Sequence, residues 1–181
     1  MKSTHRIFVW SVILWPTIFL AQNFTEMDSN KYEVINKVFG EKVEVDLMEV
    51  TSFNKTWYLL MNTDDFFDGL MGPPCNINGQ YLDQDRLIDG DKMKTIRKQI
   101  LNSVSLQLDS SKVNANIRLI SSKEYGRPGR QIEVINTPII IDDLAVLRRY
   151  SKTSETIYIL KYIDSNWVVV CDKNTFAINE D

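Results

Sequence analysis

Between Ile132 and Cys171 short apolar, β-branched runs follow one another with brief polar breaks: IEVI, PIII, LAVLRRY, TIYILKYI and NWVVVC. Runs of this length and composition, bounded by turn formers, predict strands, and breaks this short join antiparallel neighbours. The expectation is an antiparallel meander that makes the core. Pro138 has no N–H to give to a ladder, so it marks a bulge, a strand start or an edge between the first two runs. A strict period of two puts Trp167, Val169 and Cys171 on one face of the last strand and Val168 and Val170 on the other.

Upstream the spacing becomes helical twice. Tyr32, Ile35, Val38 and Phe39 share one helical face after Ser29, a capping residue type, and before Gly40, a stop. Met93, Ile96, Ile100 and Val104 make a clearer stripe behind Asp91, which predicts a capped helix over 92–104. Lys92, Lys94, Arg97 and Lys98 lie mostly off that stripe, on a solvated face. Residues 42–51 alternate through Val43, Val45 and Leu47 and then slip by one to Met48 and Val50, the signature of a bulged strand with 55–61 as its hairpin partner. Ile117–Ile120 is a further strand, and Gly126 to Arg130 a tight connection. The predicted class is α+β: an antiparallel sheet ending in the C-terminal meander, one main helix packed on it, and a short N-terminal helix.

Residues 62–91 interrupt every period with a high density of Gly, Pro, Asn and Asp. Long irregular loops in compact domains are often functional. Asp64, Asp65, Phe66, Phe67, Asn78 and Tyr81 are therefore the candidate binding-loop residues.

The first 21 residues change what the composition means. Lys2, His5 and Arg6 precede an apolar run over 7–20 that holds Pro16 and ends at Ala21-Gln22, the layout of a secretory signal peptide. An uncleaved membrane anchor needs about 20 apolar residues, more than this run contains. The expected organisation is a signal peptide over 1–21 and a single α+β domain over 22–181, exported to a periplasmic or extracellular compartment and not inserted in the membrane after cleavage. The formal charge is −3, from 21 Lys+Arg against 24 Asp+Glu, and loss of Lys2 and Arg6 makes it more negative. An acidic chain without a basic run has no electrostatic footprint for nucleic acid.

The only histidine, His5, falls inside the leader, so residues 22–181 contain none. That removes Ser-His-Asp and Cys-His nucleophiles, His-ligated zinc and His general acid–base catalysis. Asp83, Asp85, Asp89 and Asp91 suggest a Ca²⁺ loop, but counting from Asp83 places Ile88 where the obligatory Gly belongs. No metal or cofactor site is expected. The pairs Asp64-Asp65 and Asp142-Asp143 are the residues a two-carboxylate hydrolase would use, and equally ordinary turn formers. Arg127 and Arg130, in a turn, form a candidate anion patch if Arg148 and Arg149 join them. Adjacent strand residues point to opposite faces, which favours buried ion pairs for the latter two.

Two readings of Cys75 and Cys171 stand. A disulfide suits an oxidising compartment and, closing so long a loop, is worth roughly 4–5 kcal/mol. Alternatively, Cys171 is a small apolar core residue and Cys75 a free loop thiol.

The C-terminal part, with Asn136-Thr137-Pro138-Ile139-Ile140, the strand at Leu144 to Leu147, Ile157 to Lys161, and Asn166-Trp167-Val168-Val169-Val170, resembles the end of small uncharacterised exported proteins of Bacteroidetes. Ser165-Asn166 stands where those proteins carry Gly-Lys. The resemblance covers roughly the last 45 residues, implies export and brings no catalytic motif. The expected function is that of a non-catalytic binding or accessory domain for an unknown protein or small ligand. A carboxylate-dependent envelope hydrolase and an inhibitor or immunity-type protein are the alternatives.

Overall fold

Seven strands form one sheet, and a helix covers each of its faces in the computed structural model, which describes residues 29–41, 43–52, 75–77, 80–81, 87–125 and 129–177. In chain order the elements are α1 (29–39), β1 (Val45–Met48), β2 (Asn76–Ile77), β3 (Gln80–Tyr81), α2 (Gly90–Asn102), β4 (Ile117–Ile120), β5 (Ile132–Ile135), β6 (Ile139–Ile141), β7 (Leu144–Tyr150), β8 (Ser154–Ile163) and β9 (Asn166–Ala177). The sheet runs β4-β1-β5-β7-β8-β9, with β6 also on β7, and β2 and β3 make a separate small hairpin. The class is α+β.

The sheet is not antiparallel throughout, which corrects the expectation. β1 pairs in parallel with both β4, at Val45↔Ile117, and β5, at Asp46↔Ile132. Parallel neighbours need crossovers of a dozen or so residues. The long stretch containing α2 links β1 to β4, and residues 121–131 carry the chain from β4 over to β5. The hairpin partner expected at 55–61 lies outside the described residues.

Antiparallel order begins at β5. β5 and β6 are not successive strands of a meander but lie along the same edge of β7, and of the options at Pro138 the bulge is the one that forms. Ile135 faces Arg149 and Ile139 faces Val146, so the register gains one residue across Asn136-Thr137-Pro138. Asn136 N still donates to Arg148 O at 3.0 Å, after which Pro138 has nothing to donate and the bulge absorbs it.

Successive residues of β7 feed opposite cores. Ala145 and Leu147 meet α1 through Ile35 and Phe39, together with Leu47, Ile135, Leu160 and Trp167. Leu144 and Val146 meet Ile96 and Ile100 of α2 on the other face. A strand buried on both faces is a continuous apolar run, and each such Leu or Ile contributes about 1.5–3 kcal/mol.

The helix starts differ from expectation. Asp89, not Asp91, caps α2: its Oδ1 accepts from the N–H groups of Asp91 at 3.1 Å and Lys92 at 2.8 Å. Ser29 is itself helical. Val104 lies beyond the end of α2 and is exposed.

The phase of β9 also changes. Ile159 pairs with Cys171 and Leu160 with Val169, so Val170 is an inserted residue. Trp167 and Val169 pack toward α1, whereas Val170 and Cys171 both pack toward α2. Cys171 thereby leaves the face it would share with Trp167 under strict alternation. On its new face it is bonded to buried Cys75, with Cα atoms 4.6 Å apart and a sequence separation of 96.

Candidate functional site

The end of α1 is held from a distance. Gly40, with φ 60°, turns the chain out of the helix, and its N–H donates to Asn36 O at 3.0 Å. Asn114 then caps the exposed carbonyls, its Nδ2 donating to Asn36 O at 3.2 Å and Gly40 O at 3.0 Å. Asn36 answers by accepting from Asn114 N at 2.8 Å and donating to Lys112 O at 2.9 Å.

Opposite this end stands the β8–β9 turn. Asp164 and Ser165 both have positive φ, 48° and 64°, which matches the type I′ geometry that suits the strand twist. Asn166 Nδ2 donates to Asp164 O at 3.0 Å. Across the hairpin Tyr162 faces Trp167, with ring centroids 5.2 Å apart and planes tilted by 58°.

Between the two lies a groove of about 780 Å³. Glu33, Lys37, Glu41 and Val43 form one side, and Tyr162, Ser165 and Asn166 the other. Trp167 and Phe39 back it as buried side chains. Val43 is 66% exposed and Tyr162 43%, so two of the five large exposed apolar side chains among the described residues meet here. The indole N–H of Trp167 is buried and has no acceptor among the described residues.

A second cavity, of about 550 Å³, lies between the start of α1 and the end of α2, bordered by Lys31, Lys98, Val104, Pro138 and Ile140. Gln99 Nε2 spans part of it to reach Ile140 O at 3.4 Å.

Asp64, Asp65, Phe66, Phe67, Asn78 and Arg127 lie outside the described residues. Tyr81 is on β3, paired with Asn76. Arg130 does not join Arg148 and Arg149. It approaches Asp46 at 4.0 Å and Glu124 at 3.8 Å, and Asp46 is also gripped by Arg118 at 2.6 Å. Asp143 pairs with Lys161 at 3.4 Å.

Arg148 and Arg149 do point to opposite faces, each to a carboxylate. Arg148 makes a two-pronged contact with Glu155, at 2.8 Å for both bonds, and lies over the Tyr150 ring. Arg149 donates to Glu133 at 3.0 Å and lies over the Phe39 ring. Burial alone lowers the Arg149 pKa, but the hydrogen bond and charge of Glu133 outweigh it and hold the guanidinium above its ordinary value. These arginines hold the sheet together, each committed to its own carboxylate.

No group of three or more potential metal ligands occurs among the described residues. No described helix is long and apolar enough to cross a membrane. Comparison with known proteins gave no match: no family model, no curated protein and no solved structure aligns with the chain.

The groove was not foreseen because its walls come from residues 33–43, Asn114 and 162–167, far apart in sequence. The one local signal was Tyr162, an aromatic beside a polar turn, with a second aromatic cross-strand from it.

Proposed function

We propose that this chain is an exported, non-catalytic binding domain that seats a small ligand or partner segment in the groove between the end of α1 and the β8–β9 turn. The observation that carries this reading is the meeting of exposed Tyr162 and Val43 over a cleft whose frame is rigid. Leaving two large apolar side chains in water forgoes burial worth about 25 cal/mol per Å², and such patches mark contact surfaces. Asn114 and the tight hairpin turn fix both walls beforehand, which lowers the ordering cost of binding. Export is supported by the leader-like N-terminus and by the Cys75–Cys171 bond, a pairing that persists in oxidising compartments.

The test is a fragment screen followed by ¹⁵N-resolved NMR on the purified protein. Shifts confined to residues 33–43, 114 and 162–167 are expected. Hits that map only outside the groove, or no hits at all, overturn the reading.

A carboxylate-dependent hydrolase is the second reading, because Glu33 and Glu41 border the same cleft. It predicts turnover that Glu33→Gln or Glu41→Gln abolishes.

A further inference from the structure

We infer that the groove takes a neutral saccharide. This rests on the binding reading above and names its ligand class from the hydrogen-bonding groups left over once the fold has used its share. The side-chain amides around the cleft are committed in part to the fold: Asn114 Nδ2 donates to both Asn36 O and Gly40 O, while Asn36 Nδ2 donates to Lys112 O and Asn166 Nδ2 to Asp164 O. The lining still offers both kinds of group: the carboxylates of Glu33 and Glu41 accept, the Lys37 ammonium and the buried Trp167 indole N–H donate, and the Ser165 hydroxyl does either. A complementary ligand therefore brings groups that both donate and accept, as hydroxyls do.

Charge narrows the class. Glu33 and Glu41 repel an anionic ligand, and Lys37, four positions from each in sequence, offsets one of the two charges and weakens the pull on a cationic one. A neutral ligand rich in hydroxyl groups escapes that repulsion and needs no such pull. The apolar half of the cleft then supplies the second criterion. Tyr162 presents an exposed ring, propped by Trp167, with Val43 opposite. A pyranose ring has an apolar C–H face for such a ring and a rim of hydroxyls for the acceptors. The volume, about 780 Å³, falls within the roughly 300–1,000 Å³ typical of small-ligand clefts.

The experiment titrates the purified protein, followed by ¹⁵N-resolved NMR and calorimetry, with maltohexaose, cellohexaose, laminarihexaose and chitohexaose. Tetralysine and a sulfated heparin hexasaccharide serve as charged competitors. At least one neutral hexasaccharide is expected to shift the Trp167 indole resonance and the amides of 162–167. Tyr162→Ala should then weaken it about tenfold, the scale of one lost aromatic contact. Val43→Ser, at a more exposed position, provides a second variant should Tyr162→Ala unfold, with a smaller loss in the same direction. Silence from all four neutral sugars, or tighter binding of either charged probe, overturns the saccharide assignment. If fragments still map to the groove in that case, the binding reading survives alone. If they do not, both fall.

Discussion

The hydroxyls of Thr51 and Thr137 lie 2.6 Å apart, buried beside the bulge between β5 and β6. Their protons are fully assigned by their neighbours. Thr137 donates to Val104 O at 2.7 Å, which uses its single proton, so Thr51 must donate to Thr137 while accepting from Leu106 N at 2.7 Å. This four-group relay ties the exit of α2 to the bulge and to the strand end at Thr51. Next to it Tyr150 donates to Ser52 Oγ at 2.7 Å, and Ser52 donates to Asn136 Oδ1 at 3.1 Å.

Thr51→Val keeps the shape and removes the relay, leaving the Leu106 N–H without an acceptor. The expected loss is about 1–3 kcal/mol, read from urea unfolding. Thr51→Ser keeps the hydroxyl and should lose only about 1 kcal/mol, for one methyl. Equal losses in the two variants would show that packing, not the hydrogen bonds, matters there.

Arg149→Met strips the counter-charge from Glu133, whose carboxylate is only 5% exposed. Breaking a buried pair from one side costs about 3–5 kcal/mol. Replacing both partners, as in Glu133→Leu with Arg149→Met, should recover most of that loss in a double-mutant cycle. Because the folded pKa of Arg149 is raised, its contribution is fully present below its ordinary value and is lost only at more alkaline pH.

Asp109 accepts from both Ser111 N, at 2.9 Å, and Ser111 Oγ, at 2.7 Å, and these bonds hold its carboxylate below the ordinary value of 3.8. A lowered folded pKa stabilises above the unfolded value, and the contribution is lost as pH falls through the folded one. Wild type and Asp109→Ala should thus differ by a constant amount above pH 3.8 and converge in stronger acid, measured by thermal unfolding across pH. A gap that stays open in strong acid would assign the effect to something other than this carboxylate.

The Cys75–Cys171 bond closes a loop spanning 96 residues. Reduction should lower unfolding stability by up to roughly 4–5 kcal/mol by releasing the unfolded chain, seen as a lower urea midpoint with dithiothreitol. Denatured, unreduced protein should show no reactive thiol. Two reactive thiols would rule the bond out.

Much of this was legible from local pattern. The runs at Ile132–Ile135, Leu144–Tyr150 and Ser154–Ile163 are strands, and the stripe through Ile96 and Ile100 is a helix face buried in the α2-side core. The opposed directions of Arg148 and Arg149 follow from a period of two alone. The phase of β9 was not legible, since Val170 carries no mark distinguishing an inserted residue from a paired one. The parallel pairing of β1 was equally hidden, because alternation describes the faces of a strand and is silent on its edges.

Side-chain period and turn chemistry are properties of neighbouring residues. The sequence by itself therefore determined the strands of the meander and both helices. Only the tertiary structure decided that Cys171 turns toward Cys75, that Asn114 caps α1, and that Tyr162 stands across from Val43. Each of these depends on chain crossings and a bulge that bring distant residues together.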